Sequence, residues 1–297
     1  MQTASILEIK RFAVHDGDGI RTTVFFKGCP LHCTWCHNPE GLSFRPQISY
    51  NETKCIGCGE CLHVCESGAH GIEAGSHIFH RDRCIACGEC EKVCLGNAIK
   101  YYGKEVTVRE LLPILLADRE FFENSGGGVT LSGGECLCQA EFCAELLKAL
   151  KENGIHTAVD TCGFVSREAI DLVMPFTNIF LFDIKAADSE VHRKYTGQSN
   201  VRILDNLHYI DDSGMDLEIR IPYVPECNAG EMEGIKLILA GLKNVRRIRV
   251  LPYHNYAGSK YSSLGMTNNL PCILPKSEEI AGIEQELRKY ENKRSRI

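Results

Sequence analysis

The stretch GCPLHCTWCHNPE, residues 28–40, sets Cys29, Cys33 and Cys36 in a C-x3-C-x2-C spacing without a fourth cysteine of its own. Thiolates this close bind metal, yet a structural zinc site closes with a fourth thiolate or imidazole. The next cysteine, Cys55, belongs to a different pattern. The loop therefore either borrows a ligand or holds an iron–sulfur cluster with one iron open to an exogenous chelator. A small molecule carrying an amine and a carboxylate would suit such an iron.

The different pattern occurs twice. Residues 55–65 read CIGCGECLHVC and residues 84–94 read CIACGECEKVC, both C-x2-C-x2-C-x3-C, with Cys84 lying 29 residues after Cys55. This is the ligand run of two-cluster bacterial ferredoxins, in which the fourth cysteine of each run serves the other cluster. The spacing predicts one [4Fe–4S] cluster on Cys55, Cys58, Cys61 and Cys94 and another on Cys84, Cys87, Cys90 and Cys65. Glu66 and Leu95 stand where such runs carry proline, a residue that shapes a turn and supplies no ligand. Two four-cysteine zinc sites are the alternative; the short even spacing and the duplication favour iron and sulfide. Cys136, Cys138, Cys143, Cys162, Cys227 and Cys272 are expected to be small buried residues.

Of the 17 cysteines in these 297 residues, eleven fall between Cys29 and Cys94. Such crowding in a chain long enough for a large core points to metal and not to a secreted disulfide scaffold. Net charge is −6, and the only basic block is KRSRI at 293–297, so charge does not suggest nucleic-acid binding. No apolar run approaches a membrane span, and MQTASILEIKRF lacks the apolar stretch of a secretion signal. The expected compartment is the cytoplasm, with neither nucleic acid nor membrane as partner.

These groups need a scaffold that brings them together. β-rich runs occur at TTVFFKG (22–28), VTLS (129–132), HTAVD (156–160), IFLFD (179–183), LEIRI (217–221) and RIRVL (247–251). Helical patterns lie between them. TVRELLPILLADREFF opens with Thr107 and Glu110 in capping-box spacing, and Pro113 lies past its first turn. QAEFCAELLKALKEN stops at Gly154, SREAIDLVM starts at a capping Ser166, and EMEGIKLILAGLKN follows. Alternating apolar strands and helices predict an α/β fold with a parallel sheet. Six units fall short of the eight in a closed barrel, so the expectation is a partial (β/α)6 TIM-like barrel. A ferredoxin-like insert occupies residues 51–100, and the barrel comprises 1–50 and 101–297. An open doubly wound sheet is the structural alternative.

Polar residues then fall at strand ends, where parallel β/α folds place their sites. Gly133, Gly134 and Glu135 follow VTLS, Asp160 and Thr161 end HTAV, and Asp183 and Lys185 end IFLF. Arg220 ends LEIRI, and His254 follows RIRVLPY. Singly, each has an ordinary role as turn, cap or solvated charge. Beside an open three-cysteine loop they form a site: Glu135 and nearby backbone for an amine, Lys185 for a carboxylate, Asp160 or Asp183 for sugar hydroxyls or a cation.

Trp35 before the third cysteine completes a loop that resembles that of the radical S-adenosylmethionine enzymes. HDGDGIRTTVFFKGCPLHCTWCHNPE, SGGE, VDTCG, FDIK and LPYHNYAGSKY together resemble the glycyl-radical-enzyme activating enzymes that carry two extra ferredoxin clusters. The resemblance spans about residues 8–265 and implies a partial (β/α)6 barrel. It implies that S-adenosylmethionine chelates the open iron of a cluster on Cys29, Cys33 and Cys36, giving three [4Fe–4S] clusters in all. Cofactor contacts are then expected from Trp35, Gly133, Gly134, Glu135, Asp160, Asp183, Lys185, Arg220 and His254. A monovalent cation at Asp160, Thr161 and Asp183 is a further implication. The loop Asp16, Gly17, Asp18, Gly19, Ile20 and Arg21 is expected to face the client. Asp18, Cys136, Cys138 and PECN (225–228) depart from the family pattern and affect local loop shape.

The expected activity is reductive cleavage of S-adenosylmethionine to a 5′-deoxyadenosyl radical that takes hydrogen from a glycine of a partner enzyme. The insert clusters are expected to conduct electrons from a flavodoxin or ferredoxin. Two rivals are a radical enzyme acting on another peptide or small molecule and a pure electron-transfer protein. The Cys29–Cys36 loop and SGGE are superfluous to the second.

Overall fold

The computed structural model describes residues 2–291, so the basic tail at 293–297 lies outside the described residues. Its strands are β1 (Thr3–Ala13), β2 (Arg21–Phe26), β3 (Gln47–Tyr50), β4 (His70–Glu73), β5 (Ser76–Phe79), β6 (Ile99–Tyr102), β7 (Lys104–Thr107), β8 (Gly128–Gly133), β9 (His156–Thr161), β10 (Ile179–Asp183), β11 (Asp216–Tyr223) and β12 (Val245–Pro252). Eight of them make one sheet in the order β12-β11-β10-β9-β8-β2-β1-β7.

The six strands from β2 to β12 are parallel and adjacent in chain order. A doubly wound sheet would reverse its order at a switch point. None occurs here, so successive right-handed crossovers lay their helices on one face. The ends of the sheet also approach each other. Arg220 of β11 donates to the His15 carbonyl beyond β1 at 2.7 Å, and Arg247 of β12 pairs with Asp18. The sheet therefore curls, with its edges left unjoined.

Burial explains why these six runs read so clearly. Val129, Leu131, Val159, Phe180, Phe182, Leu217, Ile219 and Val245 are fully buried, as residues between a helical layer and a packed interior must be. Leu146, Leu147, Leu150, Ile170, Val173, Leu207 and Ile210 face them from the helices. Thr107 and Glu110 form the expected capping box, with Glu110 N–H donating to Thr107 Oγ1 at 3.3 Å. The helix passes Pro113, ends at Leu116 and resumes at Arg119. At the other edge β1 and β7 run antiparallel, an extension that the apolar pattern did not reveal.

The duplicated cysteine runs fold as a lobe between β2 and β8. β3 pairs with β6 and β4 with β5, around the short helices Glu60–Val64 and Glu89–Lys92. Its paired backbone extends from Gln47 to Tyr102. Arg81, which donates to the Ile48 carbonyl within the lobe at 3.0 Å, ties it to the barrel through the Ser263 carbonyl at 2.5 Å.

Candidate active site

Gly28, two residues past the end of β2, has a positive φ of 98° that turns the chain into the cysteine loop. The loop is clamped from two sides. His32 N–H donates to the Thr196 carbonyl at 2.8 Å and Thr34 N–H to that of Tyr195 at 2.9 Å. Across from these, Lys260 Nζ reaches the His37 carbonyl, Asn38 Oδ1 and Glu40 Oε1 at 3.0, 3.0 and 2.7 Å, and the Tyr261 hydroxyl donates to the Cys36 carbonyl at 3.1 Å. Sequence reading drew only His254 from LPYHNYAGSKY; Lys260 and Tyr261 are the members that hold the loop.

The two glycines of SGGE answer to sterics. A Cβ on Gly133 would lie 2.2 Å from Phe26 N, and one on Gly134 would lie 2.3 Å from the Gly28 carbonyl oxygen. Gly134 and Glu135 instead donate to the carbonyls of Phe26 and Gly28, both at 2.8 Å, which stitches this turn to the cysteine loop.

Cys29, Cys33, Trp35, Cys36, Gly133, Gly134, Asp160, Asp183, Lys185, Arg220 and His254 all line one cavity of about 1030 Å³. Its walls include Glu8 and Lys10 of β1 and Arg249 and Leu251 of β12, the two flanks of the gap in the curled sheet. Trp35 is buried against Val224 and Tyr253. His254 is exposed and stacks on His37 with ring centroids 3.9 Å apart, and His37 stacks in turn on Tyr253. Burial and the neighbouring His254 ring depress the His37 pKa. His37, Asn38 and Cys162 also line the cavity and were missed; the HN after Cys36 was the available signal.

Two buried cations sit among the lining groups. Lys185 Nζ lies 2.7 Å from Asp183 Oδ2. Burial opposes its charge, but Asp183, Cys33 and Cys162 outweigh burial and raise its pKa. Arg220 Nη1 lies 3.0 Å from Asp160 Oδ2, and its Nη2 lies 3.6 Å from Asp16 Oδ1. Burial lifts the Asp160 pKa while Arg220 and the Ser132 hydroxyl, at 2.6 Å, oppose the lift. Both carboxylates expected to attract a monovalent cation are thus already paired with cationic side chains, and the Thr161 hydroxyl is committed to Glu135. This geometry does not favour a cation.

Glu135 does not line the cavity. It is fully buried, and its carboxylate accepts from Thr161 Oγ1, Cys162 N–H and Leu137 N–H. Four contacts tie its two oxygens to Thr161, Cys162 and Leu137. The Asp16–Arg21 loop also departs from expectation. His15 and Asp16 line the cavity, and Asp18 is exposed. Arg21, however, is fully buried at the start of β2, donating to Thr130 Oγ1 at 2.6 Å and the Val129 carbonyl at 2.7 Å. It supports the loop from beneath and cannot face a partner. Of the six cysteines expected to be buried, Cys138 and Cys272 are exposed and Cys227 is half-buried; only Cys136, Cys143 and Cys162 are buried. Cys138 lies in the short 3-10 helix Cys136–Gln139 and Cys272 in an irregular segment before the last α-helix.

The donor set fits an iron–sulfur cluster. Burial pushes the Cys33 thiol up to about 11 and Cys36 up to about 12, so bound metal must supply the positive charge that displaces their protons. The neighbouring Cys162 thiol lowers the Cys29 pKa. In the lobe, Cys55, Cys58, Cys61 and Cys94 line one pocket, and Cys65, Cys84, Cys87 and Cys90 line a second. Ala69 N–H donates to Cys65 Sγ and Ala98 N–H to Cys94 Sγ, both at 3.2 Å, as befits ligating sulfurs.

Residues 23–237 match the model of the Radical SAM superfamily. The chain is 42% identical over 270 residues to the choline trimethylamine-lyase activating enzyme of Oleidesulfovibrio alaskensis, covering 88% of this chain and 87% of that protein. It is 42% identical over 263 residues to the trans-4-hydroxy-L-proline dehydratase activating enzyme of Clostridioides difficile, covering 87% of each. Identity to the pyruvate formate-lyase 2-activating enzyme of Escherichia coli is 33% over 285 residues, covering 95% of this chain and 88% of that one. The chain belongs to the radical S-adenosylmethionine activating enzymes of glycyl radical enzymes. Membership in this enzyme family carries a [4Fe–4S] cluster and S-adenosylmethionine. No helix among the described residues is long and apolar enough to cross a membrane.

Proposed function

We propose that this cavity binds S-adenosylmethionine over a [4Fe–4S] cluster held by Cys29, Cys33 and Cys36, and admits the glycine segment of a client glycyl radical enzyme. The observation that carries this reading is the convergence of the three thiols, the Gly133–Gly134 backbone, Lys185 and Arg220 on one cavity open between β1 and β12. At about 1030 Å³ it exceeds a single small-molecule site and leaves room for a peptide segment. When bound, the reduced cluster supplies an electron that splits S-adenosylmethionine into methionine and a 5′-deoxyadenosyl radical, which takes hydrogen from the client glycine.

The side chains bind, orient and exclude. Lys185 stays charged in a dry site and meets the methionyl carboxylate, with Asp183 fixing its ammonium. The Ser132–Gly134 backbone lines the cavity wall on which the amine would rest, with Glu135 behind it. The stacked rings of Tyr256, His254, His37 and Tyr253 line the wall against which the adenine would pack. Arg220 with Asp160, and Asp16 held by the buried Thr23 hydroxyl at 2.8 Å, border the part of the cavity toward which the glycine would reach. Hydrogen transfer between carbons needs no general acid or base, so positioning and exclusion of water are the tasks left to the protein.

In this reading the partial (β/α)6 barrel carries a ferredoxin-like insert with two further [4Fe–4S] clusters, three in all. The insert passes electrons from a flavodoxin or ferredoxin to the site cluster, and the enzyme works in the cytoplasm. Its client is of the class named in its relatives, an enzyme that carries a glycyl radical. The test is anaerobic incubation of reduced enzyme, S-adenosylmethionine and a candidate client glycyl radical enzyme. A client-borne radical signal with 5′-deoxyadenosine formed alongside is expected; deoxyadenosine without a client radical would transfer the activity to another substrate.

A further inference from the structure

The two halves of the lobe are related by the offset that relates the cysteine runs. β3 (Gln47–Tyr50) corresponds to β5 (Ser76–Phe79), and β4 (His70–Glu73) to β6 (Ile99–Tyr102), each 29 residues on. Ile48 therefore corresponds to His77, and His70 to Ile99. His77 and Ile99 line the pocket of Cys55, Cys58, Cys61 and Cys94, whereas Ile48 and His70 line the pocket of Cys65, Cys84, Cys87 and Cys90. Each pair of equivalent positions holds one isoleucine and one histidine, so each pocket has a single imidazole, set at a different position of the repeat.

The imidazoles are joined. His77 Nε2 lies 3.0 Å from His70 Nδ1 and 3.3 Å from Cys61 Sγ. His77 Nδ1 is buried without a hydrogen-bond partner. A proton there would make an unsatisfied buried donor, which is costly, so the proton belongs on Nε2. Nε2–H then faces two acceptors, and a ligating thiolate, bearing negative charge, is the stronger. Tyr50 packs edge-on against His77 at 4.6 Å and Phe79 stacks on His70 at 4.8 Å, so both rings are held in place. At the position equivalent to His77, Ile48 offers Cys90 no donor.

We propose that His77, positioned by His70, hydrogen-bonds the ligand Cys61 and makes the two insert clusters unequal, the one on Cys55, Cys58, Cys61 and Cys94 being easier to reduce. Donation to a ligand sulfur stabilises the more negative, reduced state of a cluster. An electron entering the lobe then settles on one defined cluster. This rests on reading the runs as two [4Fe–4S] ligand sets, which iron and sulfide analysis of the same samples tests separately.

The experiment is a potentiometric titration, followed by electron paramagnetic resonance, of anaerobically reconstituted full-length enzyme and its His77→Ile and His77→Gln variants. The cluster in question is identified by the signal lost in Cys58→Ala. His77→Ile should lower the reduced-to-oxidised ratio of that cluster about tenfold at fixed potential, a shift of ~59 mV for one electron. The other insert cluster and the site cluster should not move, and His77→Gln, which keeps an N–H donor, should restore most of the shift. An unmoved midpoint at full iron content overturns the proposal. So does a metal ion held by Cys61, His70 and His77 with that cluster missing. Should His77→Ile fail to retain its clusters, the unaltered enzyme decides: weak histidine-nitrogen coupling to one reduced insert cluster supports the proposal, and its absence from both overturns it.

Discussion

Replacing Glu135 by Gln asks whether this carboxylate grips a ligand or holds the turn behind it. Oε1 accepts from Leu137 N–H at 3.1 Å and Thr161 Oγ1 at 2.9 Å, and Oε2 from Cys162 N–H at 2.7 Å and the same hydroxyl at 2.9 Å. Glutamine offers one acceptor oxygen, so its amide must face one of the two N–H groups. That buried donor loses its acceptor, a loss of roughly 1–3 kcal/mol, while the Thr161 hydroxyl rotates to the remaining oxygen. The denaturant midpoint at matched iron content should fall by the equivalent of about 2 kcal/mol with its slope unchanged. Affinity for S-adenosylmethionine should weaken by one factor, and affinity for an analogue lacking the methionyl amine by the same factor. Wild-type stability combined with a loss confined to the amine-bearing ligand would refute this assignment, because only direct contact with the amine separates the two ligands.

Arg21→Met should destabilise the protein by roughly 3 kcal/mol, since buried carbonyls lose a charged donor, and leave client affinity unchanged at temperatures where it is folded; selective loss of client binding would put the loop back at the interface. Gly19→Ala should be poorly folded, because φ is +68° and its Cβ would meet Gly127 N at 2.4 Å; recovery of wild-type thermal stability would contradict this. Asp118 is held below its usual pKa chiefly by the hydrogen bond from Arg11, with Thr22 assisting. Its contribution is therefore complete above an unfolded value of about 4 and is lost as pH falls through the lower folded value, so Asp118→Asn should flatten the acid limb of stability against pH. Cys162→Ala should keep full iron content and the response to S-adenosylmethionine; loss of the site cluster would make Cys162 its fourth ligand.

The six parallel strands were legible because burial on both faces leaves unbroken apolar runs such as IFLF, and Ser166 and Thr107 marked helix starts through their own hydrogen bonds. β1 and β7 were not legible: one face of TASILEIKRFA is solvated and its pattern is mixed. The strand-end rule located Lys185, Arg220 and Asp160 at one cavity. It could not tell which way Glu135 turns, since that depends on two donors from the distant end of β9, Thr161 Oγ1 and Cys162 N–H, besides the local Leu137 N–H. Arg21 looked like a partner-facing charge because its type says nothing of the carbonyls that meet it. The paired cysteine pockets followed from spacing alone, whereas His70 and His77 become neighbours only through the β4–β5 hairpin.

The account stands on an iron in the Cys29, Cys33 and Cys36 cluster that polypeptide leaves to S-adenosylmethionine. Pulsed electron–nuclear double resonance of the reduced enzyme with methionyl-labelled S-adenosylmethionine measures this directly. Strong coupling to both the amine nitrogen and the carboxylate oxygen is predicted. A spectrum unaltered by the labelled compound, from a cluster closed by four thiolates, would contradict it.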